Sequence, residues 1–183
     1  MTIKVAPATP DHINALVKLL EEMDRYYGAT ELDPVEVRTR QVRQALFTHP
    51  RAGFALLAWR DDELVGVASY SFLWPAVGLT RSLYLKELYV TESAQRQGVG
   101  TALMNALFTL AAEHECSRVE WTADRDNARA QQFYEGLGQS ELPTKLFYRA
   151  VTTRSTAQPI ERTVTTSNPN DADGDHTVLH DDW

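Results

Sequence analysis

Residues Gln95, Arg96, Gln97, Gly98, Val99, Gly100 and Thr101 read QRQGVGT and stand between a run of strand formers and an amphipathic helical stretch. Residues of this kind in this place build an anion site. The first N–H groups of a helix have no acceptor within the helix, its dipole is positive there, and glycines let the backbone approach a bulky phosphate closely. A pyrophosphate fits such a loop. A strand-to-helix turn that needs glycine for its backbone angles would produce the same spacing, and an isolated GxG is usually that. Two common nucleotide motifs do not match: no lysine follows the glycines as a Walker loop requires, and the dinucleotide fingerprint lacks its third glycine.

Further along, Phe133 and Tyr134 sit side by side in a predicted helix. Their side chains leave it about 100° apart, so one can face a core while the other faces a cleft. In the predicted strand before the loop, Leu85, Lys86 and Glu87 follow one another, and strand alternation puts Lys86 and Glu87 on opposite faces. Glu87 is the candidate base, although a solvated glutamate would look the same. Glu21, Glu22, Asp24, Tyr26, Tyr27, Glu31 and Asp33 crowd into one stretch near the first helical break. Such a set could hold an ammonium group by charge and by cation–π contact, and acids on a wet helix face would give the same pattern. Glu21, Asp24 and Tyr27, with Trp74, are the chosen amine contacts. Trp121 could also line the cleft, although aromatic residues within strands more often serve the core.

The elements that must position these groups are mixed α/β. Thr2 to Ala6 reads as a strand, then Thr9 and Pro10 supply an N-cap and first-turn proline for a helix with Ile13, Leu16, Val17 and Leu20 on one face. After a break at 28–34, a second helix covers about Glu36 to Phe47. Phe54 to Trp59 and Leu64 to Trp74 flank Asp61, Asp62 and Glu63 as a hairpin, and Leu83 to Val90 is the next strand. The loop helix carries Leu103, Ala106, Leu107 and Leu110 on one face. Arg118 to Thr122 is a strand, Asn127 can cap a helix from Ala128 to Leu137, and Lys145 to Val151 reads as a last strand.

A chain of 183 residues allows one well-buried domain, here 1–151. Beyond about Thr152, Thr, Ser, Asn, Pro and Asp dominate, so 152–183 reads as an acidic, disordered tail; Val178, Leu179 and Trp183 could instead anchor it on a partner. A net charge of −7 argues against nucleic acid as partner and suits a cationic substrate. No apolar run reaches the roughly 20 residues that span a bilayer, and the start lacks a signal-peptide pattern. These features point to the cytoplasm and away from a membrane. Cys116 is the single cysteine, so it forms no intrachain disulfide and reads as a packing residue, not a nucleophile. No metal site is expected.

Taken with LKELYV before it and NARAQQFYEGLG after it, the QRQGVGT stretch resembles the GNAT superfamily of N-acetyltransferases, whose loop is written Q/R-x-x-G-x-G/A; Gln95, Gly98 and Gly100 match. The resemblance covers Thr2 to about Ala150. Within the superfamily, SLYLKELYV and CSRVEWTADRDNARAQQFYEGLG look most like the polyamine and thialysine branch. It implies a mixed, mostly antiparallel sheet splayed at the fourth and fifth strands and flanked by about four helices. It also implies acetyl-CoA as cosubstrate, direct transfer to a small primary amine, and a homodimer. On that resemblance Leu88, Tyr89 and Val90 would offer backbone partners to pantetheine, with an N–H near Tyr89 as oxyanion donor. Asn127 matches a position that contacts pantetheine, and Tyr134 matches the tyrosine that protonates the leaving thiolate. Where relatives of that branch carry Leu-Glu-Asp, this chain has Leu85, Lys86 and Glu87, so the first acid is replaced by lysine. Acetylation of protein or peptide amines and a non-catalytic CoA sensor are the alternative readings.

Overall fold

The computed structural model describes residues 2–150. Five strands form one sheet in the order β1-β2-β3-β4-β5: Ile3–Pro7, Phe54–Arg60, Glu63–Leu73, Arg81–Val90 and Cys116–Glu120. The first three interfaces are antiparallel and the last is parallel. Four helices flank it: α1 (Ile13–Tyr26), α2 (Val35–Phe47), α3 (Val99–Glu113) and α4 (Ala128–Gly136).

The sheet is covered on both faces, which explains why β2 reads FALLAW without polar interruption. Leu56 and Ala58 turn to one layer with Leu83, Leu85, Leu103, Met104 and Leu107, while Ala55 and Leu57 turn to the other with Leu16, Leu19, Val67 and Tyr89. On α3, Val99, Leu103, Met104, Leu107 and Ala111 are buried at helical spacing, so that one stripe seats the helix on the sheet. Burying each leucine contributes about 1.5–3 kcal/mol, so this stripe holds the loop before it in place.

Two irregularities in β4 matter for the site. Tyr70 pairs with Leu85 and the adjacent Ser69 pairs with Glu87, so Lys86 is an extra residue, a β-bulge. Leu83 and Leu85 pack in the α3 layer and Leu88 and Val90 lie against that same layer, so the bulge reverses the parity of the strand. Simple alternation through Lys86 and Glu87 therefore does not hold: the bulge takes Glu87 off the face of Leu85 and gives it the face of Tyr89, toward α1. The second irregularity is the end of pairing with β5, whose register runs only from Arg81–Cys116 to Tyr84–Glu120. Beyond Tyr84 the outer edge of β4 has no neighbouring strand among the described residues, which is the splay.

The expected last strand is corrected. Residues 145–150 belong to no strand, and Leu146, Phe147 and Tyr148 are exposed. The run has strand-forming residues, but among the described residues no strand pairs with it, and strand propensity alone does not make a strand. By contacts the chain divides into Met1–Ser140 and a unit that begins at Glu141. In the described part of the latter, Lys145 N–H donates to the Leu142 carbonyl at 3.2 Å and the Arg149 guanidinium lies over the Phe147 ring. The tail at 152–183 lies outside the described residues.

Candidate active site

The site begins with the backbone of β4. Thr91 N–H donates to the Val65 carbonyl of β3 at 3.0 Å, so in the same planar peptide the Val90 carbonyl points the other way, to the open edge. Strand alternation then aims the Leu88 and Val90 backbone groups outward and those of Tyr89 at β3. A Cβ placed on Gly66 of β3 would come within 3.2 Å of the Tyr89 carbonyl, in keeping with this. Of the three expected backbone partners, Leu88 and Val90 face the splay and Tyr89 does not. Tyr89 uses its buried side chain instead, its hydroxyl donating to Glu22 Oε1 at 2.9 Å.

The loop follows β4 directly. Gly98 caps α3 with φ +84°, a left-handed conformation that costs other residues about 1 kcal/mol or more, and no side chain occupies the cap. The first N–H groups of α3 therefore remain available to an anion. Gly100 has a different reason: a Cβ there would lie 3.2–3.4 Å from the Phe133 ring, so its bareness seats α4 on α3. We expect Gly100→Ala to lower stability by about 1–2 kcal/mol, read as a drop in Tm, because the Phe133 ring must move. Gln97 is held on the Ser93 carbonyl (2.8 Å) and by the Arg60 guanidinium (2.7 Å), which fixes the loop from the end of β2. Arg96 adopts φ +59° and is exposed. Val99 is buried under the loop, and Thr101 lies in the first turn of α3.

Across the splay stands α4. Asn127 Oδ1 accepts from Ala130 N–H at 3.0 Å, so its capping role is realised. Phe133 packs on Gly100 while Tyr134 lies against Trp121, with ring centroids 5.1 Å apart. Burial, and then the charge of Glu87, push the Tyr134 phenol up to about 12. The phenol is therefore protonated at neutral pH, as a proton donor must be.

From the opposite side, Tyr27 at the end of α1 donates its hydroxyl to Glu87 Oε1 at 3.0 Å. Burial, then the Glu87 charge and this bond, raise the Tyr27 phenol as well, and Tyr134 adds a small effect on it. Glu87, Tyr27 and Tyr134 thus form one electrostatic cluster beside the open stretch of β4. Tyr26 packs edge-on against both Tyr27 and Tyr89 and extends the aromatic wall.

The remaining amine contacts expected from the sequence do not join this cluster. Glu21 is held by Arg38 at 2.6 Å and Arg25 at 3.1 Å, and those guanidinium groups keep its carboxyl below the usual range. It ties α1 to α2 and has no spare charge for an ammonium. Asp24 borders the groove between α1 and α2 with Arg38 and Gln41. Trp74 follows β3, is 67% exposed, and donates Nε1–H to the Leu79 carbonyl. Its neighbour Leu73 pairs with Ser82, which puts it roughly 15 Å along the strand from Glu87. The acid that the sequence selection passed over is Glu22, the one whose helical position turns it to Tyr89 when Glu21 turns to α2. Adjacent positions on a helix differ by about 100°, which is the signal that could have separated them.

Cys116 is half-buried on β5, and burial pushes its thiol up, away from the thiolate a nucleophile needs. Among the described residues no group of three or more His, Cys, Asp or Glu could hold a metal ion, and no helix is long and apolar enough to cross a membrane.

Known proteins are similar to this chain in sequence and fold. Thialysine N-epsilon-acetyltransferase of Bos taurus is 23% identical over 134 residues, 72% of this chain and 78% of that protein. An integron cassette protein from the mobile metagenome of V. cholerae has a TM-score of 0.77 at 30% identity, covering 83% of this chain and 94% of the other. A crystal structure described as a probable acetyltransferase gives 0.72 at 26% identity, covering 82% and 98%. The profile of the acetyltransferase (GNAT) family matches residues 16–139. With that profile matched over residues 16–139, the chain belongs to the GNAT family of acetyltransferases, which use acetyl-CoA as cosubstrate.

Proposed function

We propose that this N-acetyltransferase moves acetyl directly to the primary amine of a small molecule, of the polyamine, diamine or amino-acid side-chain type, with Glu87 and Tyr134 handling the protons. The observation that carries the reading is the Glu87, Tyr27 and Tyr134 cluster beside the unpaired stretch of β4. Acetyl-CoA fits the residues present. An open strand edge with Leu88 and Val90 suits an extended amide-bearing chain, and the uncapped start of α3 at Gly98 suits its pyrophosphate.

When bound, acetyl-CoA supplies an acetyl carbon activated by a thiol leaving group. The chain supplies the rest. Alkylamines have pKa values near ~10, so the nitrogen must be neutral to attack, and it becomes acidic as it bonds to carbon. Glu87 receives that proton at its carboxylate, and its orientation is held by the Tyr27 hydroxyl. Leu88 N–H is the outward donor for developing negative charge, as in an oxyanion hole. Tyr134 holds a proton for the sulfur. No covalent enzyme intermediate is needed, and kcat/KM for the amine should rise with pH toward the pKa of the acceptor.

The packed Tyr26 and Tyr27 rings, with Glu87 on the Tyr27 hydroxyl and Glu22 on that of Tyr89, support a cationic acceptor. The Bos taurus relative, whose name specifies a thialysine side-chain amine, supports a small one. Tyr27→Phe should lower kcat about tenfold through loss of a hydrogen bond to a charged group, with Tm and CoA affinity unchanged. A homodimer, on the family resemblance, and a cytoplasmic location, on the sequence features above, accompany this reading. The test is CoA release, with hydrolysis subtracted, across diamines, polyamines, lysine analogues, aminoglycosides and peptides. Turnover with small amines is expected; turnover with peptides alone would overturn the small-molecule assignment.

A further inference from the structure

Gln95 and Arg129 join the two sides of the splay. Gln95 Nε2–H donates to the Val90 carbonyl at 3.0 Å, the outward acceptor at the end of β4. Its Oε1 accepts from an Nη2–H of Arg129 in the first turn of α4. A carboxamide is neutral, so the contact orients the guanidinium without cancelling its charge. Among the described residues, the ion pairs are those of Arg25 and Arg38 with Glu21 and of Arg118 with Glu120, and none involves Arg129. The guanidinium has five N–H donors, of which this bridge uses one. Other side chains of the same turn are occupied with the turn itself, Asn127 on Ala130 N–H and Gln131 on the carbonyls of Asp124 and Arg125. Arg129 is the cation of this turn that is fastened to the loop.

We infer that Arg129 is a ligand for the phosphates of CoA, aimed by Gln95 at the loop where the start of α3 is uncapped; this rests on the acetyl-CoA reading. The planar fork of a guanidinium matches phosphate oxygens in pairs, and its charge persists at any working pH. Gln95 thereby serves the cofactor indirectly. Its amide is spent between Val90 and Arg129, so it is a positioning residue and Arg129 makes the contact.

The test is direct titration of the intact protein with CoA, dephospho-CoA and pantetheine, without turnover. Arg129→Ala should weaken CoA by about tenfold, the loss of one charge-assisted contact, and leave pantetheine affinity and Tm unchanged. It should also flatten the salt dependence of CoA binding, and Arg129→Lys should recover part of the affinity. Loss for CoA but not dephospho-CoA would assign the 3′-phosphate; loss for both, the pyrophosphate. Unchanged CoA affinity with unchanged salt dependence would overturn the inference, as would equal weakening of CoA and pantetheine, which marks a change of slot shape alone. Failure of the unaltered protein to bind CoA would instead overturn the acetyl-CoA reading itself.

Discussion

Tyr134→Phe should lower kcat by about two to three orders of magnitude, the range that a positioned general acid contributes, while CoA affinity stays within a factor of about two. The phenol ring packs against Trp121 and Phe133, and phenylalanine keeps those contacts and removes only the hydroxyl. A fall in kcat without a fall in Tm therefore isolates the proton. The leaving thiolate must acquire one, and the Tyr134 hydroxyl, held up to about 12 by burial and by Glu87, is available at every pH the protein would meet. A thiol with a pKa near ~8.5 that leaves well above that pH needs less help, so the defect should shrink as pH rises. Rates measured from pH 7 to 10 on both proteins check this. A constant defect would mean that the hydroxyl holds substrate and does not protonate the sulfur.

The second large effect is expected for Glu87→Gln, a loss in kcat/KM of about a hundredfold for the amine. The substitution also acts at a distance. The Glu87 charge is the second cause, after burial, that raises Tyr134. Removing that charge favours the phenolate, so the Tyr134 pKa falls, and loss of rate on the alkaline side should begin at lower pH in the variant. The same argument applies within the reaction. In the proposed mechanism Glu87 loses its charge as it gains a proton from the amine, and Tyr134 thereby becomes a better acid when the sulfur needs a proton. Full pH profiles of kcat for both proteins test the sign; an alkaline limb displaced upward in Glu87→Gln would contradict the coupling.

What the sequence disclosed follows the range of the forces involved. The α3 stripe and the unbroken FALLAW run are dictated by local periodicity, and both elements lie where they were expected. QRQGVGT between strand and helix also located the loop, although its glycines serve separate ends: Gly98 a left-handed turn, Gly100 the ring of a residue 33 positions away. Long-range register was hidden. The bulge at Lys86 depends on pairing with Ser69 and Tyr70, so the face of Glu87 could not be obtained by alternation. The amine contacts divided for the same reason. Helical phase puts Glu21 and Glu22 on different faces, but only the tertiary packing decides that Glu21 meets Arg38 of α2 and Glu22 meets Tyr89 of β4. Lys145 to Ala150 has strand composition, yet strand formation depends on an edge that composition does not supply.

Direct acetyl transfer is the central claim, and a two-substrate initial-rate matrix, with acetyl-CoA and the best small amine both varied and the product identified by mass, tests it most directly. Intersecting lines with one acetylated amine formed per CoA released are predicted, because the proposed roles of Glu87 and Tyr134 require a single ternary complex. Parallel lines with an acetyl group trapped on Cys116, or CoA bound and released with no acetylated amine, would contradict it.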